Sequence, residues 1–222
     1  MSKPFVARGS RVQRCESCLL SERVCICSFK TSYTAKARFF LMMHHKEGFK
    51  PTNTGRLIED CIQGTERFKW SRTEPDESFL AAVSSPDVDP YIVFPEGEGY
   101  EDRMVDYQPK EGKQPVFIIL DGTWRQARRM FRHSRYLDAL PVIQPVVESS
   151  SAYRLRKAAV EGQLCTAEVA AEMLRLVHDK KGSELLSAYF RIFNEHYRAS
   201  RLTRPIADDT SDKTLIREWQ RL

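Results

Sequence analysis

The chain has 222 residues, of which 41% are hydrophobic and 29% charged, and its formal net charge is +5 at pH 7. That length buries one sizeable core plus an appendage, and the composition is that of a globular protein rather than a disordered one. No apolar run approaches the roughly 20 residues that span a bilayer, so no membrane association is expected.

The first residues, MSKPFVARGSRVQR, are basic with no apolar core behind them. They do not read as a secretory signal, and a cytoplasmic location, where disulfides are rare, is expected. Arg outnumbers Lys about two to one, and the planar fork of Arg suits phosphate. Charge alone leaves an ordinary basic protein equally open.

Four of the six cysteines follow at once, as Cys15-x-x-Cys18 and Cys25-x-Cys27. Two close pairs on two turns supply the four thiolates that a tetrahedral structural zinc takes. Disulfides and an iron–sulfur cluster are the competing uses. Four protein ligands leave no open position, so the metal organises chain and performs no chemistry. Arg8, Arg11, Arg14 and Arg23 surround the knuckle. The isolated Cys61 and Cys165 read as buried thiols.

Ala37 to Met43 is an apolar run ending in His44-His45, and it predicts a buried strand. Pro51, Thr52 and Asn53 are helix-start signals before Leu57, Ile58 and Cys61, which have helical spacing. Thr65 to Trp70 alternates like a strand, Tyr91 to Phe94 is a short apolar run stopped by Pro95, and 96–112 reads as a loop. Val116 to Leu120 is the clearest buried strand. A helix is predicted over 123–135, a strand over 142–147, and amphipathic helices over 166–179 and 183–199. Thr166 is a candidate N-cap, with Glu168 favourable in the first turn. Residues 203–222 read as a polar, loosely held tail. Alternating strands and helices predict an α/β fold with a largely parallel sheet, divided as a knuckle at 1–34, a catalytic domain at 35–202 and the tail.

Ligands bind beyond the carboxyl ends of the strands in open α/β sheets. His44, Phe94-Pro95 and Asp121-Gly122-Thr123-Trp124 stand at such ends. Asp121 reads as a helix cap or as a group that binds a ligand or takes a proton. Trp124 reads as core or as a stacking platform. No dinucleotide-binding or Walker A glycine pattern is present. Arg125, Arg128, Arg129 and Arg132 fall on one face of the predicted helix, with no acid between Gly122 and Leu137. Such a face suits a phosphate backbone, unless acids elsewhere in the fold pair with it. A third cluster, Tyr153-Arg154-Leu155-Arg156-Lys157, follows a run of serines.

Together these segments resemble the DTW-domain family of tRNA-uridine aminocarboxypropyltransferases. The knuckle, His44-x-x-Glu47, Thr52-Asn53-Thr54-Gly55-Arg56-Leu57, Phe94-Pro95, Asp121-Gly-Thr-Trp with Gln126-Ala127, the 153–157 cluster and Thr166-Ala167-Glu168 run in family order. Two positions depart from the pattern: His45, where relatives often have Pro, and Cys165, where they often have Ser. The resemblance implies a SPOUT-like sheet with a C-terminal knot. It implies S-adenosylmethionine as donor of a 3-amino-3-carboxypropyl group and N3 of a tRNA uridine as acceptor, in the variable loop for bacterial members.

By the same resemblance Phe94, Pro95, Asp121, Gly122, Thr123, Trp124, Leu155, Thr166, Ala167 and Glu168 would contact the donor. Asp121 would take the uridine proton or hold the donor ammonium. Arg56 and Arg154 would hold the donor carboxylate or an RNA phosphate, and Arg125, Arg128, Arg129, Arg132 and Arg156 would meet RNA. No obligate protein partner is evident. An RNA methyltransferase of the same fold and a non-catalytic RNA-binding knuckle protein are the alternatives.

Overall fold

The computed structural model describes residues 12–145, 164–202 and 204–222. Five parallel strands form its sheet in the order β2-β1-β4-β3-β5: β1 (Arg38–Met43), β2 (Glu66–Lys69), β3 (Val88–Val93), β4 (Gln114–Asp121) and β5 (Val142–Ile143). The helices are α1 (Gly55–Cys61), α2 (Glu77–Val83), α3 (Trp124–His133), α4 (Thr166–Leu176), α5 (Lys180–Leu202) and α6 (Ser211–Trp219).

The central strands β1 and β4 are apolar on both faces because both faces are covered. Along β1, Phe39 and Leu41 point to one side, and Phe40 and Met42 to the other. The first side packs against α1, α4, α5 and the N-terminal knuckle, and Phe39 meets Phe117 of β4 with ring centroids 6.1 Å apart. The second side packs against α2 and α3, with Phe79, Ala127, Met130 and Phe131 filling it. The result is three layers.

This layering fixes where a ligand crevice lies. The chain leaves β1 for α1 on the first face, and it leaves β4 for α3 on the second. Neighbouring strands β1 and β4 therefore part to opposite sides at their carboxyl ends, which is the topological switch point at which open α/β sheets bind ligands.

The predicted elements recur with shifted ends. The helix expected over 183–199 runs over Lys180–Leu202, because buried Asp179 takes over its start and accepts from the backbone N–H of Gly182 at 3.0 Å. Helix α2 was not anticipated from the sequence. Asp76 caps it, accepting from the N–H of Ser78 at 3.0 Å. Of the strand expected over 142–147, Val142–Ile143 forms β5, and 146–147 fall outside the described residues.

The expected loose tail is corrected for the described residues beyond 203. Helix α6 packs on α5 with Ile216 fully buried, and Lys213 pairs with Glu195 at 3.1 Å. The Gln220 amide donates to the carbonyls of Ser28 and Lys30 at 3.0 and 2.7 Å, so the tail clasps the knuckle. The knuckle itself shares the main core through Cys18, Leu20, Val24, Ile26 and Phe29. Among the described residues no helix is long and apolar enough to cross a membrane.

Candidate active site and metal centre

At the end of β4 the Asp121 carboxylate is 1% exposed. Its Oδ2 accepts from Asn53 Nδ2 at 2.6 Å, and its Oδ1 accepts from the Thr166 hydroxyl at 2.8 Å. Three segments distant in sequence thus meet on one carboxylate: the turn before α1, the end of β4 and the start of α4. Asn53 is used at both ends, since its Oδ1 accepts from the N–H of Arg56 at 3.3 Å. The Thr54 hydroxyl accepts from the N–H of Ala167 at 3.4 Å, which seals the turn to α4. Gly55 makes this approach possible. A Cβ there would stand 2.7 Å from Asp121 Oδ2, inside any real contact.

Two capping expectations are corrected. Asp121 ends the strand and does not cap α3; Thr123 does, in a capping box with Gln126, whose Oε1 accepts from the N–H of Thr123 at 2.6 Å. Thr166 is not the N-cap of α4 but its first helical residue, one position inside Cys165. That step frees its hydroxyl for Asp121. Glu168 accepts from the N–H of Cys165 at 2.9 Å, as the return half of a capping box. Burial pushes the Cys165 thiol upward, and burial likewise pushes Cys61 up to about 12. Both are inert thiols at neutral pH, and Cys61 accepts from the Thr31 hydroxyl at 2.9 Å.

The backbone N–H of His44 donates to the Asp121 carbonyl at 3.0 Å, carrying the β1–β4 ladder one residue further. Its ring is 6% exposed and stacks on Trp70, with centroids 5.5 Å apart and an interplanar angle of 18°. Nδ1 faces Gln126 Nε2 at 3.1 Å and the N–H of Lys46 at 3.3 Å. Two donors on Nδ1 place the ring proton on Nε2. Burial first, and neighbouring His45 second, lower the His44 pKa, so the ring is neutral at pH 7.

Phe94 lies with its ring parallel to Phe131 at 4.3 Å and stacked on Trp124 at 5.4 Å. Trp124 is half-buried, packed against the second core, and carries the Arg128 guanidinium over its face at 5.3 Å. The Pro95 carbonyl accepts from the Tyr100 hydroxyl at 2.6 Å. Gly122 lies against Gln126, where an added Cβ would meet its Cβ at 3.0 Å.

The arginines separate into two kinds. Arg125, Arg128, Arg129 and Arg132 are exposed on α3, and among the described residues none has an acidic partner. Arg56 is 7% exposed and stands apart from that face. Its Nη2 donates to the Gly48 carbonyl at 3.2 Å, while Nε and Nη1 are buried without partners among the described residues. Burial lowers its pKa. A contact with an exposed RNA backbone is not what this side chain offers. Leu155, Arg154 and Arg156, with the rest of the 153–157 cluster, fall outside the described residues.

The sulfurs of Cys15, Cys18, Cys25 and Cys27 all lie within 4.8 Å of one another, and the Cys15–Cys27 and Cys18–Cys25 pairs are 3.6 and 3.7 Å apart. A tetrahedral zinc with Zn–S bonds of about 2.3 Å sets neighbouring sulfurs about 3.8 Å apart. The four residues therefore fit and could hold a metal ion. Leu19 adopts φ +58 to turn the first pair, and the Cys15 carbonyl accepts from the Leu19 N–H at 2.9 Å. The N–H of Cys18 is the main cause lowering the Cys15 thiol, whereas burial raises Cys25.

The fold and site define an α/β protein with a polar junction at the switch point of a parallel sheet, a cationic helix beside it and a four-cysteine cluster that could hold a metal ion. The family model described as the DTW domain matches residues 12–198, and the chain belongs to that family. It is 25% identical over 187 residues to tRNA-uridine aminocarboxypropyltransferase 2 of Macaca fascicularis, covering 78% of this chain and 59% of that protein. It is 22% identical over 180 residues to the protein of the same name from Drosophila melanogaster, covering 77% and 69%. The chain thus spans little more than half the length of the first of these relatives. No solved structure matches it.

Proposed function

We propose that the protein transfers the 3-amino-3-carboxypropyl group of S-adenosylmethionine to N3 of a tRNA uridine, in the variable loop, on a SPOUT-related fold. In the balanced reaction the C–N3 bond forms as the C–S bond breaks. The sulfonium leaves as neutral methylthioadenosine, and the N3 proton is released to solvent. All three carbons on the sulfonium are electrophilic, so choice of the propyl methylene over the methyl is a matter of position.

The observation that carries this reading is the convergence of the Asn53 turn, Asp121 and Thr166 at the β1–β4 switch point, in a chain of this family. In this reading Phe94-Pro95, Gly122 to Trp124 and Thr166 to Glu168 would contact the donor. Arg56 supports the amino-acid arm. A buried guanidinium with unpartnered donors is costly, and a carboxylate is the small planar anion that matches its fork. Asp121 is in this reading a positioning residue. Asn53 and Thr166 each donate a hydrogen bond to its carboxylate. It therefore holds the turn and α4 in register around the donor. The exposed α3 arginines suit the tRNA backbone, and one structural zinc on the four cysteines fixes the knuckle.

The test is to incubate the purified chain with tRNA and S-adenosylmethionine and to analyse digested nucleosides by mass spectrometry. A uridine heavier by one aminocarboxypropyl group is expected. A methylated uridine would mark a methyltransferase, and no product together with no donor binding in calorimetry would mark an RNA-binding protein. Arg56→Lys is expected to raise KM for the donor far more than Arg125→Gln does.

A further inference from the structure

The loop that leaves β1 carries two exposed aromatic rings with no assigned purpose. Phe49 is 87% exposed on the turn that follows β1. His45 is exposed and lies on His44 with centroids 4.3 Å apart and an interplanar angle of 29°. His44 lies in turn on Trp70, so His45 is the outer ring of a three-ring stack. That stack is rigid at its base. The Trp70 Nε1 donates to Ser134 Oγ at 2.8 Å, and Gln126 holds the His44 ring. The outer face of the stack is thus presented in a fixed orientation.

The surroundings are cationic. Exposed Lys46 lies between the two rings in sequence, Lys46 and Arg129 both act on the His44 ring as cations, and Glu47, which acts on it in the opposite sense, is buried and paired with Lys50. Arg129 belongs to the acid-free face of α3. Aromatic rings interleaved with cations that have no acidic partner among the described residues are the composition of a surface for unpaired nucleic acid: the cations follow the backbone and the rings take bases by their faces. A protein partner for Phe49 would leave the neighbouring uncompensated charge unexplained. A duplex would not offer base faces to either ring.

We infer that His45 and Phe49 form a base-stacking surface for unpaired RNA nucleotides that flank the reactive uridine. The inference rests on the tRNA reading above and names how the RNA is gripped. No bond is made or broken at this surface.

The test uses the full chain, with equilibrium binding of a tRNA transcript, a uridine-rich single strand and a blunt RNA duplex across a salt series. His45→Ala and Phe49→Ala are each expected to weaken tRNA and single-strand binding about 5- to 100-fold. The slope of log affinity against log salt should not change, because stacking releases no counterions. His45→Trp and Phe49→Trp should restore binding, and duplex affinity should not move. Arg129→Gln should instead flatten the salt slope. The inference is overturned if both alanine variants bind as the parent does, if the tryptophan variants fail while folded, or if His45→Ala changes the slope as Arg129→Gln does. It is also overturned if light scattering shows Phe49→Ala dissolving an oligomer with RNA binding intact. A parent chain that binds no RNA would sink the tRNA reading and this inference together. A parent that binds tRNA with both rings dispensable would sink this inference alone.

Discussion

Gly55→Ala puts two physical effects in direct opposition. Gly55 opens α1, and in a helix Ala is favoured over Gly by about 1 kcal/mol. The added Cβ would stand 2.7 Å from Asp121 Oδ2 and 3.1 Å from its Cγ. Ordinary contact needs about 3.4 Å or more, so the two groups must separate by roughly 0.7 Å. Asp121 has little room to retreat, because Oδ1 is held by Thr166 and Oδ2 by Asn53. Overpacking of this kind costs about 1–3 kcal/mol, and a weakened hydrogen bond to a buried charge adds about 1.5–3 kcal/mol. Set against the helix gain, the net loss should be about 1.5–5 kcal/mol. The assay is urea unfolding, read as a fall in midpoint at constant slope, with a Tm drop of about 3–20 °C for a chain of this size. Equal or higher stability for Gly55→Ala would refute the claim that Asp121 is pinned.

Stripping the metal with a chelator, or Cys18→Ser, should lower zinc content from one ion per chain. Because Gln220 is bonded to Ser28 and Lys30, hydrogen-exchange protection over 211–219 should fall with it. His44 is lowered in the folded chain, so below about pH 6.5 the unfolded chain takes a proton that the folded one refuses. Stability should decline as pH falls through that point, and His44→Phe should make the decline shallower in unfolding measured from pH 7.5 to 5. Asn53→Asp would set a second carboxyl against Asp121, and one of the pair would have to keep a proton. Its deficit relative to the parent should grow as pH rises above about 4, whereas that of Asn53→Ala should stay flat; two flat deficits would contradict the arrangement.

What the sequence made legible is what depends on local pattern. The run Val116 to Leu120 announced a doubly covered strand, the cysteine spacing announced a four-sulfur cluster that could hold a metal, and the arginine periodicity announced an exposed face on α3. Hydrogen bonds that span 68 and 45 residues leave no local trace, so the partners of Asp121 were hidden, although Asn53 and Thr166 were both singled out as helix-start signals. Arg56 was read as a residue that would hold the donor carboxylate or an RNA phosphate, but its burial was not foreseen because composition does not report burial. Helix α6 was missed because its buried stripe rests on Ile216 and half-buried Trp219, with Lys213 buried alongside them, so few apolar residues mark it. Phe49 drew no notice, since a lone aromatic among Lys, Glu and Gly looks the same whether its ring is buried or exposed.

The division among the arginines connects the fold to the proposed chemistry. A guanidinium on the surface stays hydrated and meets a polyanion by releasing counterions, an interaction that salt weakens and that tolerates imprecise geometry. Buried, it has lost that water, and an anion of the wrong shape leaves its donors unsatisfied, so fit decides binding. Helix α3 and α1 place these two environments on opposite faces of the same strand pair, because β1 and β4 send their chains to opposite sides. A long nucleic acid and a small zwitterionic donor approaching the ends of β1 and β4 would therefore meet arginines suited to each. Asp121 is the group the two sides share: β4 carries it, the chain runs on from it into α3, and Asn53 and Thr166 bond it to the starts of α1 and α4. Burying that carboxylate makes the relative placement of the two surfaces depend on one set of short, charge-assisted bonds.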